Sequence, residues 1–170
     1  MIARSSWIPG YGTYNIEATN DLYNPTSGHI YFTASQPKDG DSTQVKNHAV
    51  SPADELVARP ALRWYLNVAS LAGLAKVWQS KGGDSEKTGE WKADGAPTEA
   101  AIEVFAQRFS WNRLELTQGP GARWQHLVEF PFDSDVKKMT VLFKDVESGE
   151  AHVFTKVCLI LSPSRTTHIN

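Results

Sequence analysis

The chain has 170 residues, of which 41% are hydrophobic, and this is enough for one domain with an ordinary core. Its net charge of −2 comes from dispersed acidic and basic residues, which argues against a surface built to bind nucleic acid or anionic lipid. The single cysteine, Cys158, excludes an internal disulfide and a metal site built from cysteines. No apolar run approaches the roughly 20 residues that span a bilayer, so we expect the chain to lie outside the membrane.

The first third of the chain predicts strands followed by a loop. Residues 7–32 are rich in Gly, Pro, Asn, Tyr and Thr, and strand-like pieces at 13–16 and 29–33 flank a turn-forming segment. This pattern is typical of an edge hairpin or a meander. Residues 34–52 are polar and lack any period, which predicts a surface loop.

The middle of the chain predicts two helices separated by a loop. Between residues 60 and 79, apolar side chains recur at the spacing of an amphipathic helix of about five turns. A loop of Gly, Ser and charged residues is predicted at 80–90. A second helix is predicted over residues 97–109, with Pro97 at its first position. Ala96 is then the N-cap, a poor choice that costs roughly 0.5 to 2 kcal/mol relative to Asp or Ser.

The last third predicts a loop at residues 112–122 and then a sheet. Period-two patterns predict strands over 126–132, 136–143 and 151–156, and Glu-Ser-Gly at 147–149 is typical of a hairpin turn between the last two. Strands and helices in this order predict an α+β domain, with an antiparallel sheet flanked by helices.

One lysine in this sheet requires an explanation. By the strand period, Lys137 is in register with Met139, Val141 and Phe143, which we expect to face the core. One interpretation is that Lys137 lies at the mouth of the strand beside Phe132, where a flat anionic ligand binds. The other is that Phe132 belongs to the core and the long lysine stem carries its charge out to water.

The start of the second helix allows two similar interpretations. A carboxylate in the first turn is stabilised by the helix dipole, so Glu99 is explained without a ligand. The same carboxylate is also suited to accept a hydrogen bond from the exocyclic amine of an adenine.

Other patterns in the sequence give weaker indications of function. Residues 82–89 fail the phosphate-loop pattern, because no glycine comes directly before the lysine and no strand is predicted ahead of it. The histidines are too dispersed to indicate a metal, and no nucleophile is marked by its context.

Two long segments resemble a known family. They are W-K-A-D-G-A-P-T-E at residues 91–99, continuing as A-I-E-V-F-A from residue 101, and E-F-P-F-D-S-D-V-K-K-M at residues 129–139. In this order and separation they resemble the nucleotide-binding domain of P-type cation-transporting ATPases, most closely that of the fungal sodium-efflux pumps. The resemblance extends from about residue 7 to residue 156 and is weakest in the loops.

The resemblance implies a nucleotide site and assigns its residues. In this family the domain holds ATP, with magnesium bound to the nucleotide, and stacks the adenine on the phenylalanine that corresponds to Phe132. Lys137 and Glu99 correspond to the lysine and glutamate that contact the nucleotide, with Thr98 beside the glutamate. Lys156 corresponds to the lysine of a lysine-glycine-alanine loop that lines the same pocket.

The sequence departs from the family after this lysine. Val157 and Cys158 replace the glycine and alanine, and Ala96 replaces the usual Asp or Ser. We therefore expect a nucleotide-binding domain over residues 1–156 and a divergent, poorly ordered tail over residues 157–170.

The family's phosphorylated aspartate, actuator domain and membrane region are not in this sequence. We therefore expect a fragment of a pump that does not hydrolyse ATP unaided, because phosphoryl transfer needs an acceptor carboxylate. The parent pump implied by the resemblance lies in the plasma membrane or another cell membrane. This domain would be on its cytosolic side, next to a phosphorylation domain.

Two other classes of function stay open from the sequence. The first is a remnant that binds no ligand, or an interaction module that uses the exposed apolar end predicted at residues 157–161. A free-standing enzyme has the least support, because no set of acid, base and nucleophile is identifiable.

Overall fold

A computed structural model describes residues 2–35, 47–80 and 89–157 of the chain. Its strands are β1 (Ser5–Ile8), β2 (Gly12–Ile16), β3 (Ile30–Ala34), β4 (His48–Val50), β5 (Lys76–Gln79), β6 (Trp91–Asp94), β7 (Trp124–Asp133), β8 (Lys138–Asp145) and β9 (Ala151–Val157). Its helices are α1 (Pro52–Ala58), α2 (Leu62–Leu71), α3 (Pro97–Gln107) and α4 (Arg113–Gln118). Antiparallel sheets with helices against them confirm the predicted α+β class.

The N-terminal sheet has the order β1-β2-β3-β4, with every neighbouring pair antiparallel. Of the two predicted arrangements, an edge hairpin or a meander, the structure has the meander. Side chains alternate between buried and half-buried along most of β2 and β3, as expected for strands with one face against a core. The buried members pack against one face of α2 and α3 in a cluster that includes Tyr14, Phe32, Leu66, Phe105 and Phe109.

The C-terminal sheet has the order β7-β8-β9, again antiparallel throughout. Met139, Val141 and Phe143 are at most 2% exposed, so the face predicted for the core is confirmed. They pack with Trp124, Phe154 and the end of α2 in a second cluster. The turn after β8 contains Gly149 with a φ of 77°, as expected for a tight hairpin connection.

The helix predicted over residues 60–79 is much shorter in the structure. The α2 helix ends at Leu71, and its C-cap is Ala72. The chain then enters β5, whose Val77 is buried beneath α3. The prediction was wrong because the apolar residues of β5 continue the apolar pattern of the helix, and a short apolar run does not distinguish a strand from a helix.

Five short elements, β5 among them, correct the predictions made from the sequence. The loop predicted at 112–122 contains α4, which begins after Asn112, whose side-chain oxygen accepts the Leu114 N–H at 2.9 Å. The loop predicted at 34–52 contains β4, and α1 follows it. β5 lies within the first predicted helix and forms a two-stranded sheet with β6, which lies between the two predicted helices. Each of these elements has only three to seven residues, too few to establish a period.

Several predictions fall outside the described residues. They concern most of the loops at 34–52 and 80–90, the rejected phosphate-loop pattern, and the tail after Val157 with Cys158. Within the described ranges, none of the helices has the length and apolar character needed to cross a membrane.

Candidate nucleotide site

The aromatic ring expected to stack on a base lies near the end of β7. Phe132 is 51% exposed, so it does not belong to the core. The pairing of β7 with β8 shifts between Phe130 and Asp133, which leaves Pro131 and Phe132 together opposite Met139. A bulge of this kind bends the strand and frequently occurs beside functional sites. The ring is therefore accessible at a point where regular strand pairing is interrupted.

Lys137 is not in the strand register that the sequence predicted. β8 begins at Lys138, and Lys137 lies in the preceding turn with a φ of 55°, in the left-handed region. The carboxylate of Asp133 stabilises this turn by accepting the N–H groups of Asp135 at 2.7 Å and Val136 at 3.3 Å. The strand register was wrong because this Asp-based turn extends the connection as far as residue 137.

Glu99 lies in the first turn of α3, as predicted, and the exposed Thr98 precedes it. The helix begins close to the end of α2, because Gly95 packs directly against Ala75. A Cβ on Gly95 would lie 2.8 Å from the Ala75 Cα, and the φ of 114° also favours glycine. This close approach lets the Glu99 Oε2 accept the N–H of Leu74 at 2.8 Å.

Lys156 forms an ion pair with the same carboxylate. It lies on β9 opposite Met139, and its Nζ donates to the Glu99 Oε1. Burial acts to raise the pKa of the Glu99 carboxyl. The hydrogen bonds from Lys156 and from the backbone of Leu74 and Ala75 outweigh that effect, so the pKa lies below its usual value. Glu99 is therefore ionised at neutral pH.

Together these residues mark one end of the C-terminal sheet. Phe132 and Lys156 lie on either side of Met139, so their backbones are about 10 Å apart, given roughly 4.8 Å between neighbouring strands. Lys137 precedes Lys138 at the same end of the sheet. Glu99 and Lys156 touch each other directly.

Two concave surfaces adjoin this arrangement. One, of about 750 Å³, is open and contains Phe132 together with Phe130, Val136 and the Asp133 turn. The other, of about 520 Å³, contains the Glu99–Lys156 ion pair. Its walls are mostly apolar and come from α2, α3 and β9: Tyr65, Val68, Ala69, Ala72, Ile102 and Val157. Among the described residues the two surfaces have no lining residue in common. The first offers an exposed ring and the second an apolar groove with an ion pair, and each of these features suits a flat ligand that also carries polar groups.

The sequence patterns did not indicate that α2 and the residues after it contribute to this site. The backbone N–H of Leu74 holds Glu99, and Tyr65 and Val68 line the groove beside it. The available signal was Gly73, since glycine often follows the end of a helix and leaves backbone groups available. The overlong helix prediction hid that signal. Within the described ranges, no group of three or more His, Cys, Asp or Glu is placed to hold a metal ion.

Comparisons with known proteins identify relatives of this chain. Residues 62–159 match the family model described as P-type ATPase, cytoplasmic domain N. The chain is 32% identical over 161 residues to Sodium/potassium exporting P-type ATPase cta3 of Schizosaccharomyces pombe. It is 29% identical over 188 aligned positions to Sodium/potassium exporting P-type ATPases 1 and 2 of Saccharomyces cerevisiae.

These alignments cover most of this chain and little of its relatives. Each includes 92% of the chain, but only 14% of the S. pombe protein and 17% of each S. cerevisiae protein. The family match includes α3, the C-terminal sheet and all of the site residues predicted from the sequence. The chain belongs to the P-type ATPase family and corresponds to its cytoplasmic N domain.

Proposed function

We propose that this chain forms the adenine-nucleotide site of a sodium/potassium exporting pump, with ATP arriving as its magnesium complex. The observation that carries the proposal is the position of Phe132. Its ring is half-exposed in a bulge, two strands away from the Glu99–Lys156 ion pair. Stacking on such a ring contributes about 1 to 3 kcal/mol per base in proteins that bind single-stranded nucleic acid.

In this proposal the adenine stacks on Phe132 and the phosphates extend toward Lys137. An ammonium on a long, flexible stem is suited to a phosphate group because it acts as a mobile point charge. Lys156 provides a second cation near the base, and Glu99 borders the site from the start of α3, with Thr98 beside it in the same turn. We expect weak binding, because the proposed site has a single stacking contact and few charges.

The rest of the cycle requires other domains of a pump. The chain spans only about one seventh of the S. pombe relative. We propose that this domain presents the γ-phosphate to a phosphorylation domain on the cytosolic side of the membrane. Phosphoryl transfer to a carboxylate of that domain would then drive export of the ion.

A titration of the ¹⁵N-labelled chain with magnesium ATP tests the proposal. We expect saturable amide shifts that cluster at Glu99, Phe132, Lys137 and Lys156. Shifts confined to the N-terminal sheet, or none at millimolar nucleotide, would refute nucleotide binding at this site.

The Phe132→Ala variant tests the stacking role. Removing the ring should weaken ATP binding about 5- to 150-fold, because 1 to 3 kcal/mol corresponds to that range. Phe130→Ala is the matched control, since Phe130 is 56% exposed on the same strand but pairs with Thr140 in regular register. If Phe130→Ala abolished binding while Phe132→Ala kept it, the stacking ring would be assigned wrongly.

A further inference from the structure

A third concave surface, of about 550 Å³, lies between α4, β7 and the β5–β6 sheet. We call it the α4 cleft. Its charged lining residues come from four different elements: Lys76 on β5, Asp94 on β6, Arg113 on α4 and Glu129 on β7. In the part of the chain that the structure describes, it shares no lining residue with either surface at the proposed nucleotide site. Its volume is within the roughly 300 to 1,000 Å³ typical of small-molecule sites.

Arg113 is the least exposed of these charged residues, at 8%. Its Nη1 donates to the carbonyl oxygens of Ser70 at 3.1 Å and Leu71 at 3.0 Å. Its guanidinium lies 5.7 Å from the centre of the Phe143 ring, which also lines the cleft. The described hydrogen bonds leave Nε and Nη2 unused, and neither nitrogen is cut off from solvent. These two nitrogens form a fork of donors that matches a planar carboxylate.

The charged residues of the α4 cleft do not neutralise one another directly. Lys76 and Asp94 are partners across the β5–β6 pair, but none of the ion pairs among the described residues includes any of the four. Burial lowers the pKa of the Arg113 guanidinium, and the nearby carboxylates, Glu103 and Glu129 among them, oppose that shift only in part. Because a buried charge without a paired counterion is unfavourable, an anion that reaches Arg113 is stabilised there.

Charges of both signs restrict the kind of ligand that fits the α4 cleft. The two cations would attract a simple anion, but the two carboxylates would repel it. A simple cation meets the opposite balance. A ligand that carries one group of each charge is attracted by both pairs. The carboxylates are not explained by a metal, since the described ranges contain no group of three or more His, Cys, Asp or Glu that is placed to hold one.

We propose that the α4 cleft binds a small zwitterion, of the size of a free amino acid or a dipeptide. Its carboxylate contacts the Nε and Nη2 of Arg113, and Lys76 adds a second positive charge beside it. Its ammonium group lies near Asp94 and Glu129. This site lies outside the proposed nucleotide site, so the inference does not depend on nucleotide binding.

A titration of the ¹⁵N-labelled chain with three matched ligands tests this inference. Glycylglycine is a zwitterion, N-acetylglycylglycine lacks its ammonium charge, and glycylglycinamide lacks its carboxylate. We expect saturable amide shifts with glycylglycine that cluster at the four charged residues of the α4 cleft. Each derivative should bind at least about fivefold more weakly, because it loses one favourable charge contact and keeps the repulsion from the other pair.

Two substitutions should change the charge selectivity in opposite directions. Glu129→Gln should weaken glycylglycine binding about fivefold while N-acetylglycylglycine binds as well as before or better, since one repelling carboxylate is gone. Lys76→Gln should likewise weaken glycylglycine binding but leave glycylglycinamide binding at least as tight. A loss of fold would instead weaken the binding of every ligand, and an amide spectrum like that of the wild-type chain verifies the fold of each variant.

Glu115→Gln and Lys92→Gln are the matched controls. Glu115 lies on α4 and Lys92 on β6, both are exposed, and neither lines the α4 cleft. Each control should leave the affinities for all three ligands unchanged.

The absence of a saturable shift with millimolar glycylglycine would overturn the inference. So would equal affinity for glycylglycine and either derivative, which would indicate a site for simple anions or simple cations. An ATP titration of the same samples separates this result from the proposed function. Shifts at Phe132 with ATP, without any response to glycylglycine, would leave nucleotide binding intact and refute only the site in the α4 cleft.

Discussion

At the scale of single residues, the most unusual side chain is Glu103 on α3. It is 2% exposed, and its Oε2 has no hydrogen-bond partner within the part of the chain that the structure describes. Its Oε1 accepts the Arg113 N–H at 2.7 Å and the Gln107 side chain at 3.1 Å. Burial raises the pKa of this carboxyl to about 7, although these donors and the nearby Ser70 hydroxyl partly oppose the shift.

This pKa predicts how the stability of the chain depends on pH. The folded state binds more protons than the unfolded state between the ordinary carboxyl pKa of 4.5 and about 7, so stability is lost as pH rises through that window. The loss is about 3 kcal/mol in total. Glu103→Gln cannot ionise and should be more stable than the wild-type chain at pH 8, with little difference at pH 4.5. Urea denaturation at the two pH values measures this.

The exposed Glu115 again offers the control for this prediction. Glu115→Gln should leave the difference in stability between pH 4.5 and pH 8 as large as in the wild-type chain. A Glu103→Gln variant with the wild-type dependence on pH would show that Glu103 stays ionised in the folded chain.

Residues also show how far the sequence alone could specify the site. Glu99 and Phe132 were placed by local patterns, a helix start and a strand end, and both lie where those patterns predicted. The ion pair joins residues 57 positions apart, and no local period encodes a contact of that range. The strand register predicted for Lys137 was wrong for a different reason. Hydrogen bonds to the Asp133 side chain stabilise a turn that delays the start of β8 to Lys138.

At the scale of elements, the N-terminus of α3 is less stable than a helix start with a capping side chain would be. Its N-cap is Ala96, with backbone angles of −63° and 138° that suit a capping residue but with no side chain to cap the helix. Serine at this position would accept an N–H of the first turn without changing the backbone. Ala96→Ser should therefore raise the free energy of unfolding by about 1 kcal/mol. Urea denaturation at neutral pH measures it.

The converse change on α4 provides the comparison. Asn112 already caps that helix through Leu114, so Asn112→Ala should lower stability by about 1 kcal/mol. Ser51, the N-cap of α1, makes no side-chain cap bond, and Ser51→Ala should have little effect. If Ala96→Ser gave no gain while Asn112→Ala gave a loss, the start of α3 would have its N–H groups satisfied by other means.

Among the elements, β7 to β9 and α3 followed from the sequence because each is long enough to show its period. The end of α2 did not, since an apolar strand follows it within five residues. The short helices α1 and α4 depend on capping and on tertiary packing, which a single sequence does not reveal.

At the scale of the whole molecule, α2 connects the two hydrophobic clusters. Its Leu62 and Leu66 pack with the N-terminal sheet, whereas Leu71 packs with the C-terminal sheet. An element shared by two cores links their stability, because loss of either core removes part of its packing. We therefore expect the described parts of the chain to unfold in one cooperative transition.

Two substitutions test this coupling. Leu66→Ala in the first cluster and Phe154→Ala in the second should each cost about 2 to 5 kcal/mol. In both variants, tryptophan fluorescence and far-ultraviolet circular dichroism should give coincident urea midpoints. If Phe154→Ala moved the fluorescence midpoint alone, the two clusters would unfold independently.

The bulge in β7 has a geometric consequence for the ring it contains. If the regular register continued from the pair of Phe130 with Thr140, Phe132 would lie opposite Lys138, one step away from Met139. The extra residue therefore decides which neighbours the benzyl group has across the sheet. Chain length in this short interval, as much as the identity of the amino acid, defines the proposed purine platform.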